Sequence, residues 1–324
     1  MNIFRMLAVA AAVAGLALGA VGARAQDYPS RPVKVVVPTP PGGAVDGVAR
    51  MVSAKMAEFL GQAMIIENKA GASTSLGADM VAKSAPDGYT LYINASIHAI
   101  NPYVLKSLPY DAVKDFTPIA ELARGPLLFT VSNSVPAKNV REFVDLLKAN
   151  PNKYTFATSG FGAAGHLAIA LFRLRAGVDV PIVQYKGTGQ ALPDLIGGQV
   201  SAMIDPVLSS GPQVRAGRLR ALAITSSRRN ASYPDVPTAG EAGMPELEFY
   251  SWYGLWGPAN LPRDMVAKLE ATAIRAVQSQ EVRDKMSALG FEPTGNPAAQ
   301  FASFIQTEVA KYAKIIKDAN IRSE

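Results

Sequence analysis

Two glycine-rich segments carry the residue types and spacing that could do chemistry. Pro38-Thr39-Pro40-Pro41-Gly42-Gly43-Ala44-Val45-Asp46 follows the apolar run 33–37, and Thr158-Ser159-Gly160-Phe161-Gly162-Ala163-Ala164-Gly165-His166 follows the run 154–157. Each reads as a strand running into a loop and then a helix. At such a junction glycines let backbone N–H groups approach a ligand closely, and a helix start carries about half a positive charge. Facing each other across a cleft, the two loops would hold one or two carboxylates without any arginine. Either loop alone reads equally well as a tight turn, but one in each half of the chain favours a site. The candidates are Gly42, Gly43 and Asp46 in the first loop and Ser159, Gly160 and His166 in the second, with Ser96 and His98 after the apolar run 89–93, Lys186 after 182–184 and Asp205 after 202–204.

Several of these residues have two readings. Asp46, in the first helical turn, either complements the helix dipole or faces the cleft, where it would meet an amine, a hydroxyl or a bridging water. His98 either lines the cleft or is a buried, hydrogen-bonded structural histidine. His166 fits fixing its loop or touching ligand better than acting as a base, because no G-x-S-x-G elbow surrounds Ser159. Gly160-Phe161-Gly162-Ala163-Ala164-Gly165 also fits the dinucleotide pattern G-x-G-x-x-G, yet the next strand ends in Tyr185-Lys186-Gly187, without the acid that would bind ribose. Oxidoreductase and hydrolase readings are therefore set aside, and neither cofactor nor enzymatic activity is expected. An exported enzyme working in the same cleft is the alternative.

The elements that must position these loops form an α/β pattern. Short β-branched runs at 33–37, 64–66 and 89–93 alternate with helical patterns at 45–60 and 76–84, and a second set at 127–131, 155–157, 182–184, 202–204 and 221–224 repeats the alternation. This spacing predicts two mainly parallel sheets flanked by helices. Long helical patterns at 265–278, 282–289 and 298–319 close the chain and are expected to pack on the first lobe, so that the chain crosses between lobes twice and makes a hinge over a cleft. The expected organisation is a signal peptide over 1–25, lobe 1 from 26–122 plus 227–324, and lobe 2 over 123–226.

Composition narrows the class further. Arg5, the apolar run 6–21 and Ala23-Arg24-Ala25 read as a secretory signal of the general kind, which places the mature chain in the periplasm. The chain has no cysteine, which excludes disulfides, thiolate zinc sites and cysteine nucleophiles, and its two histidines are too few for a histidine-rich metal site. Lys plus Arg number 32 against 26 acids, and the densest basic stretches, around Arg215–Arg220 and Arg228-Arg229, lack interleaved aromatics. That is a solvated surface, not a nucleic-acid footprint.

Across the whole mature chain a series of motifs appears in order: Pro40-Pro-Gly-Gly43-x-x-Asp46-x-x-Ala49-Arg50, Glu67-Asn68-x-x-Gly71, Ala85-Pro-Asp-Gly-Tyr-Thr-Leu91, Gly160-x-Gly162-x-x-x-His166-Leu167, Tyr185-Lys186-Gly187, Gly197-Gly-Gln-Val200, Asp235-Val-Pro-Thr238-x-x-Glu241-x-Gly243 and Trp252-x-Gly254. The series resembles the Bug-type extracytoplasmic receptors of tripartite tricarboxylate transporters. The resemblance implies a two-lobed type II periplasmic-binding-protein fold, a cleft that closes on a small carboxylate, and delivery to a two-component membrane permease by a monomeric receptor. It also implies that Gly42, Gly43 and Asp46 hold a ligand carboxylate through backbone groups and water. Two departures stand out: Ala163 and Ala164 lie where the family usually places a hydroxyl, and Thr39 where an aromatic is common, which enlarges the pocket mouth for a bulkier ligand. Thr39, Ala163 and Ala164 thereby join the ligand-binding candidates.

Overall fold

The computed structural model describes residues 28–321; the expected signal peptide lies outside them. A first sheet begins with β1 (Val33–Val37), whose four valines are buried on both faces, as a strand between helices requires. β2 (Met64–Asn68) and β3 (Thr90–Ala95) flank β1 in parallel register, Val35 opposite Ile66 and Leu91. Helix α1 (Ala44–Leu60) makes the first crossover, burying Val45, Val48, Ala49, Val52 and Met56 and ending at Gly61 in the left-handed conformation. Helices α2 (Ser75–Ala82) and α3 (Ile97–Val104) follow β2 and β3.

The sheets are mixed rather than mainly parallel. β4 (Phe116–Ser132) is a 17-residue strand that belongs to both of them. Its first part pairs antiparallel with β9 (Tyr250–Pro258) and β10 (Glu292–Pro297), and β9 in turn pairs antiparallel with β3. Beyond Pro126 it changes partners: Leu127–Val131 pairs antiparallel with β7 (Ala202–Pro206), and Leu128–Ser132 with β8 (Leu219–Ile224). The second sheet continues in parallel fashion from β7 to β5 (Phe156–Thr158) and β6 (Ile182–Gln184). Helices α4 (Val140–Ala149), α5 (Ala164–Ala176), α6 (Thr188–Ile196) and α7 (Val207–Arg215) surround it.

Thr225, fully buried, ties the two places where the chain passes between sheets. Its hydroxyl accepts from Leu127 N at 2.7 Å and donates to Phe249 O. After β9 come α8 (Arg263–Gln278), α9 (Gln280–Ala288) and α10 (Ala298–Asp318). The last carries Phe301 and Tyr312 onto the tryptophans of β9, with Phe301 5.1 Å from Trp256 and Trp252 Nε1 donating to Tyr312 Oη at 2.9 Å. Against the second sheet the same core continues through Phe129, Phe143, Phe156 and Phe172, with edge-on contacts of 5.0 to 5.8 Å. No helix among the described residues is long and apolar enough to cross a membrane.

Candidate functional site

The C-terminal ends of β1, β3, β5, β6 and β7 lead into loops that surround one cavity of about 660 Å³. Ligands collect at this edge in open α/β sheets. Both glycine-rich loops line it, through Thr39 and Gly43 on one side and Ser159, Gly160, Ala163 and Ala164 on the other, together with Ser96 and Lys186.

The first loop is built to leave a helix start open. Gly42 takes φ +86°, a conformation that favours glycine, while Gly43 is extended and its α-carbon looks onto space: an added Cβ would meet nothing within 4 Å. No side chain caps α1. Asp46 turns away from the cavity and accepts hydrogen bonds from Gly42 N at 3.0 Å, Arg50 Nε at 2.9 Å and Asn68 Nδ2 at 3.0 Å. Burial alone would raise its pKa, but the bonds from Arg50, Gly42 and Asn68 outweigh that and hold it below the ordinary carboxylate value. Gly42 and Asp46 thus shape the loop from behind rather than line the cavity.

The second loop repeats the plan. Helix α5 starts at Ala163, extended and again without a side-chain cap. Gly162, at φ +75°, donates its N–H to His166 Nδ1 at 3.1 Å. That bond fixes the loop and makes Nδ1 the acceptor nitrogen. Burial, aided by nearby Arg173, lowers the His166 pKa to about 4, so the ring is neutral at physiological pH. Gly165 lies so close to β7 that a Cβ would stand 2.1 Å from Ile204 O, which packs the helix start against the strand.

Asp205, at the end of β7, is fully buried behind this loop and accepts from Thr188 Oγ1 at 3.3 Å. Burial pushes its pKa up to about 8, against the opposing pull of the hydroxyls of Thr188, Ser159, Ser209 and Ser210. At neutral pH this carboxyl is mainly protonated. Lys186 is exposed at the mouth and enters no ion pair among those found in the described residues.

His98 is not brought to this cavity. It is the second residue of α3, and its ring turns into the core beneath the sheet, 4.5 Å from Phe116 and 5.1 Å from Trp256, with Nε2 3.0 Å from Ala112 O. It borders a different, mostly apolar cavity of about 710 Å³ and, held near pKa 4 by burial, is neutral.

Three features of the wall are not among the sequence-derived candidates. Ala72, Ser73 and Thr74 line the cavity in consecutive left-handed conformations, φ +45°, +50° and +73°, which cost about 1–3 kcal/mol each for non-glycine residues. Asn101 Nδ2 clamps them, donating to Ser73 O at 2.7 Å and Thr74 Oγ1 at 3.3 Å. Ser251 and Tyr253 of β9 supply hydroxyls to the wall, and α6 starts at the cavity through Gly187 and Thr188. The motif Tyr185-Lys186-Gly187 was the available signal for that third open helix start; nothing in the residue types marks the left-handed turn.

Two sheets that share a strand, with helix starts converging on a cavity between them, define a two-lobed solute-binding protein. The chain belongs to the family of tripartite tricarboxylate transporter receptors, whose family model, "Tripartite tricarboxylate transporter family receptor", matches residues 48–321. The Bug-type likeness and the α/β fold are thereby established, and the chain stands among receptors rather than enzymes. It is 33% identical to Protein BugT of Bordetella pertussis over 324 residues, 99% of either chain. Among solved structures, a periplasmic transporter is 40% identical with a TM-score of 0.88, covering 91% of this chain and 99% of that one. Rpa4515 of R. palustris, solved with adipate, is 35% identical with a TM-score of 0.89, covering 92% of this chain and all of its own.

Proposed function

We propose that this receptor captures a small carboxylate in the periplasm, between lobe 1 (26–122 plus 227–324) and lobe 2 (123–226), and hands it to a two-component membrane permease. The observation that carries the reading is the pair of uncapped helix starts, α1 at Gly43 and α5 at Ala163, opening on one cavity from different sheets. Each offers backbone N–H groups and the positive end of a dipole, which suits a carboxylate without a dedicated cation. Thr39, Ser96 and Ser159 add hydroxyls on the same wall. Adipate in the related Rpa4515 structure supports the ligand class. Export through the general secretory route, supported by the basic and apolar N-terminal pattern, and a monomeric state complete the proposal.

Gly43→Val tests the site. The side chain would enter open space on an extended backbone, so the fold should survive with a change in stability within about 1 kcal/mol, while its bulk keeps a carboxylate from the α1 N–H groups. Calorimetric titration with adipate and a panel of di- and monocarboxylates is expected to show binding by the wild type and none by the variant. Equal affinity in a folded variant moves the site elsewhere.

A further inference from the structure

We propose that the cavity bordered by His98, which lies between α3, the segment 105–113 and α10, is a second binding site that takes a small neutral aromatic molecule bearing one O–H donor. It shares no lining residue with the carboxylate cavity: Ile97 of α3 lines that one, and His98, the next residue, lines this one.

The wall suits an uncharged, flat body. Phe116 and Trp256, both buried, form one part of it, and Pro102 of α3 with Ile305 and Val309 of α10 form another. Tyr103 and Val113, both exposed, carry the apolar surface out to the mouth. A volume of about 710 Å³ falls among those of pockets that enclose small organic ligands and place a few polar groups in an apolar lining. Among the described residues the charged members of this lining, Lys106 and Asp111, are both exposed, and Asp111 already accepts from Val113 N and Lys114 N. A charged ligand drawn inside would lose water without a buried partner of opposite sign.

His98 supplies the requirement for a donor. The residue is 2% exposed, and its ring is packed by Tyr92, Phe116 and Trp256 at 5.3, 4.5 and 5.1 Å. Nε2 lies 3.0 Å from Ala112 O, and a carbonyl oxygen only accepts, so Nε2 carries the ring proton. Nδ1 is therefore a bare acceptor, and burial keeps the ring neutral. That nitrogen is buried and meets no donor among the described residues. Buried polar atoms are nearly always satisfied, and one left without a partner weakens the fold, so a group that supplies the missing proton is bound with a gain. An aromatic alcohol does so and fills the apolar space with its ring, whereas an ether of the same shape can only accept.

The test is calorimetric titration of the mature protein with 4-ethylphenol and 4-ethylanisole, read in parallel through the fluorescence of Trp256. The phenol is expected to bind about tenfold or more tightly than the ether, as a hydrogen bond to a buried acceptor implies. His98→Phe keeps an aromatic ring and removes the acceptor, so it should bring the phenol down to the ether's affinity. Ala302→Phe, a half-buried position on α10 away from His98, fills the cavity and should abolish binding of both probes while leaving adipate affinity unchanged. Equal affinities for phenol and ether in the wild type overturn the donor requirement, and this comparison stands even where a variant fails to fold. Binding of neither probe overturns the site, and self-association of the wild type that Ala302→Phe abolishes would then assign the groove to a second copy of the chain.

Discussion

Asp205 gives the second loop a charge that depends on pH. Its folded pKa, about 8, lies above the ordinary 3.8, so between those values the folded state keeps a proton that the unfolded state has released. Its contribution to stability is therefore complete below about pH 4, declines as pH rises and is lost above about 8. His98 and His166 have the opposite sign: both fall from 6.5 to about 4, so the stability they permit is present above 6.5 and lost as pH falls toward 4. Thermal melts should show the wild type losing several degrees from pH 6 to 9 and Asp205→Asn losing less; parallel curves would mean that Asp205 is already ionised in the fold. Carboxylate affinity should also fall above pH 8 in the wild type, as a fixed anion appears behind the site. Lys186, exposed at the cavity mouth, should matter little: Lys186→Met is expected to cost under about 1 kcal/mol of binding, as solvated charges do. A thirtyfold loss on titration would instead assign it a buried pair with the ligand. At this scale the sequence made the open loops legible through glycine spacing. It could not tell which polar residues look into the cavity and which brace it from behind, because Asp46 and Asp205 are placed in part by neighbours distant in sequence, Asn68 and Thr188, and His166 turns back onto its own loop at Gly162.

Among the elements, the crossover units were the legible part. The valine run of β1, the apolar stripe of α1 and the strands β5 to β7 lie within a few residues of where composition put them, since local pattern and burial agree there. β4 was read only at its far end. Pro118 and Arg124-Gly125-Pro126 look like breaks, yet Pro118 falls at a register shift against β9 and Pro126 where the strand changes sheets, places at which a missing N–H does no harm. β9 was missed as a strand despite its aromatics, because Gly254 and Gly257 interrupt the pattern; both are required by packing, a Cβ at Gly254 standing 2.2 Å from Phe301 and one at Gly257 2.2 Å from Leu261. These two antiparallel strands turn the expected mainly parallel sheets into mixed ones. The seating of α5 yields a prediction of the same kind. Gly165→Ala drives a Cβ into Ile204 O and should destabilise the protein by about 1–3 kcal/mol, despite the ~1 kcal/mol that alanine usually gains over glycine in a helix. Denaturant unfolding measures this, and a stabilised variant would show that α5 can lift off β7 freely.

Across the whole molecule, the two sheets and their helices meet closely around the cavity. A Cβ at Gly187 would stand 3.2 Å from Pro40, one at Gly47 3.2 Å from the Leu208 side chain, and one at Gly162 2.9 Å from Val104, so the second sheet's side lies close against the first loop, α1 and α3. Among the described residues the chain passes between the sheets in β4 at Pro126–Leu127 and in the return laced by Thr225, a joint about which such contacts can open. A ligand that gains contacts with both sides only when they meet must shift the population toward the closed arrangement. Small-angle scattering of the ligand-free protein, and of the same protein saturated with a carboxylate whose binding calorimetry has established, tests capture by closure most directly. The radius of gyration is expected to fall on saturation, whereas an unchanged scattering profile at full occupancy would contradict closure and leave a rigid, preformed pocket.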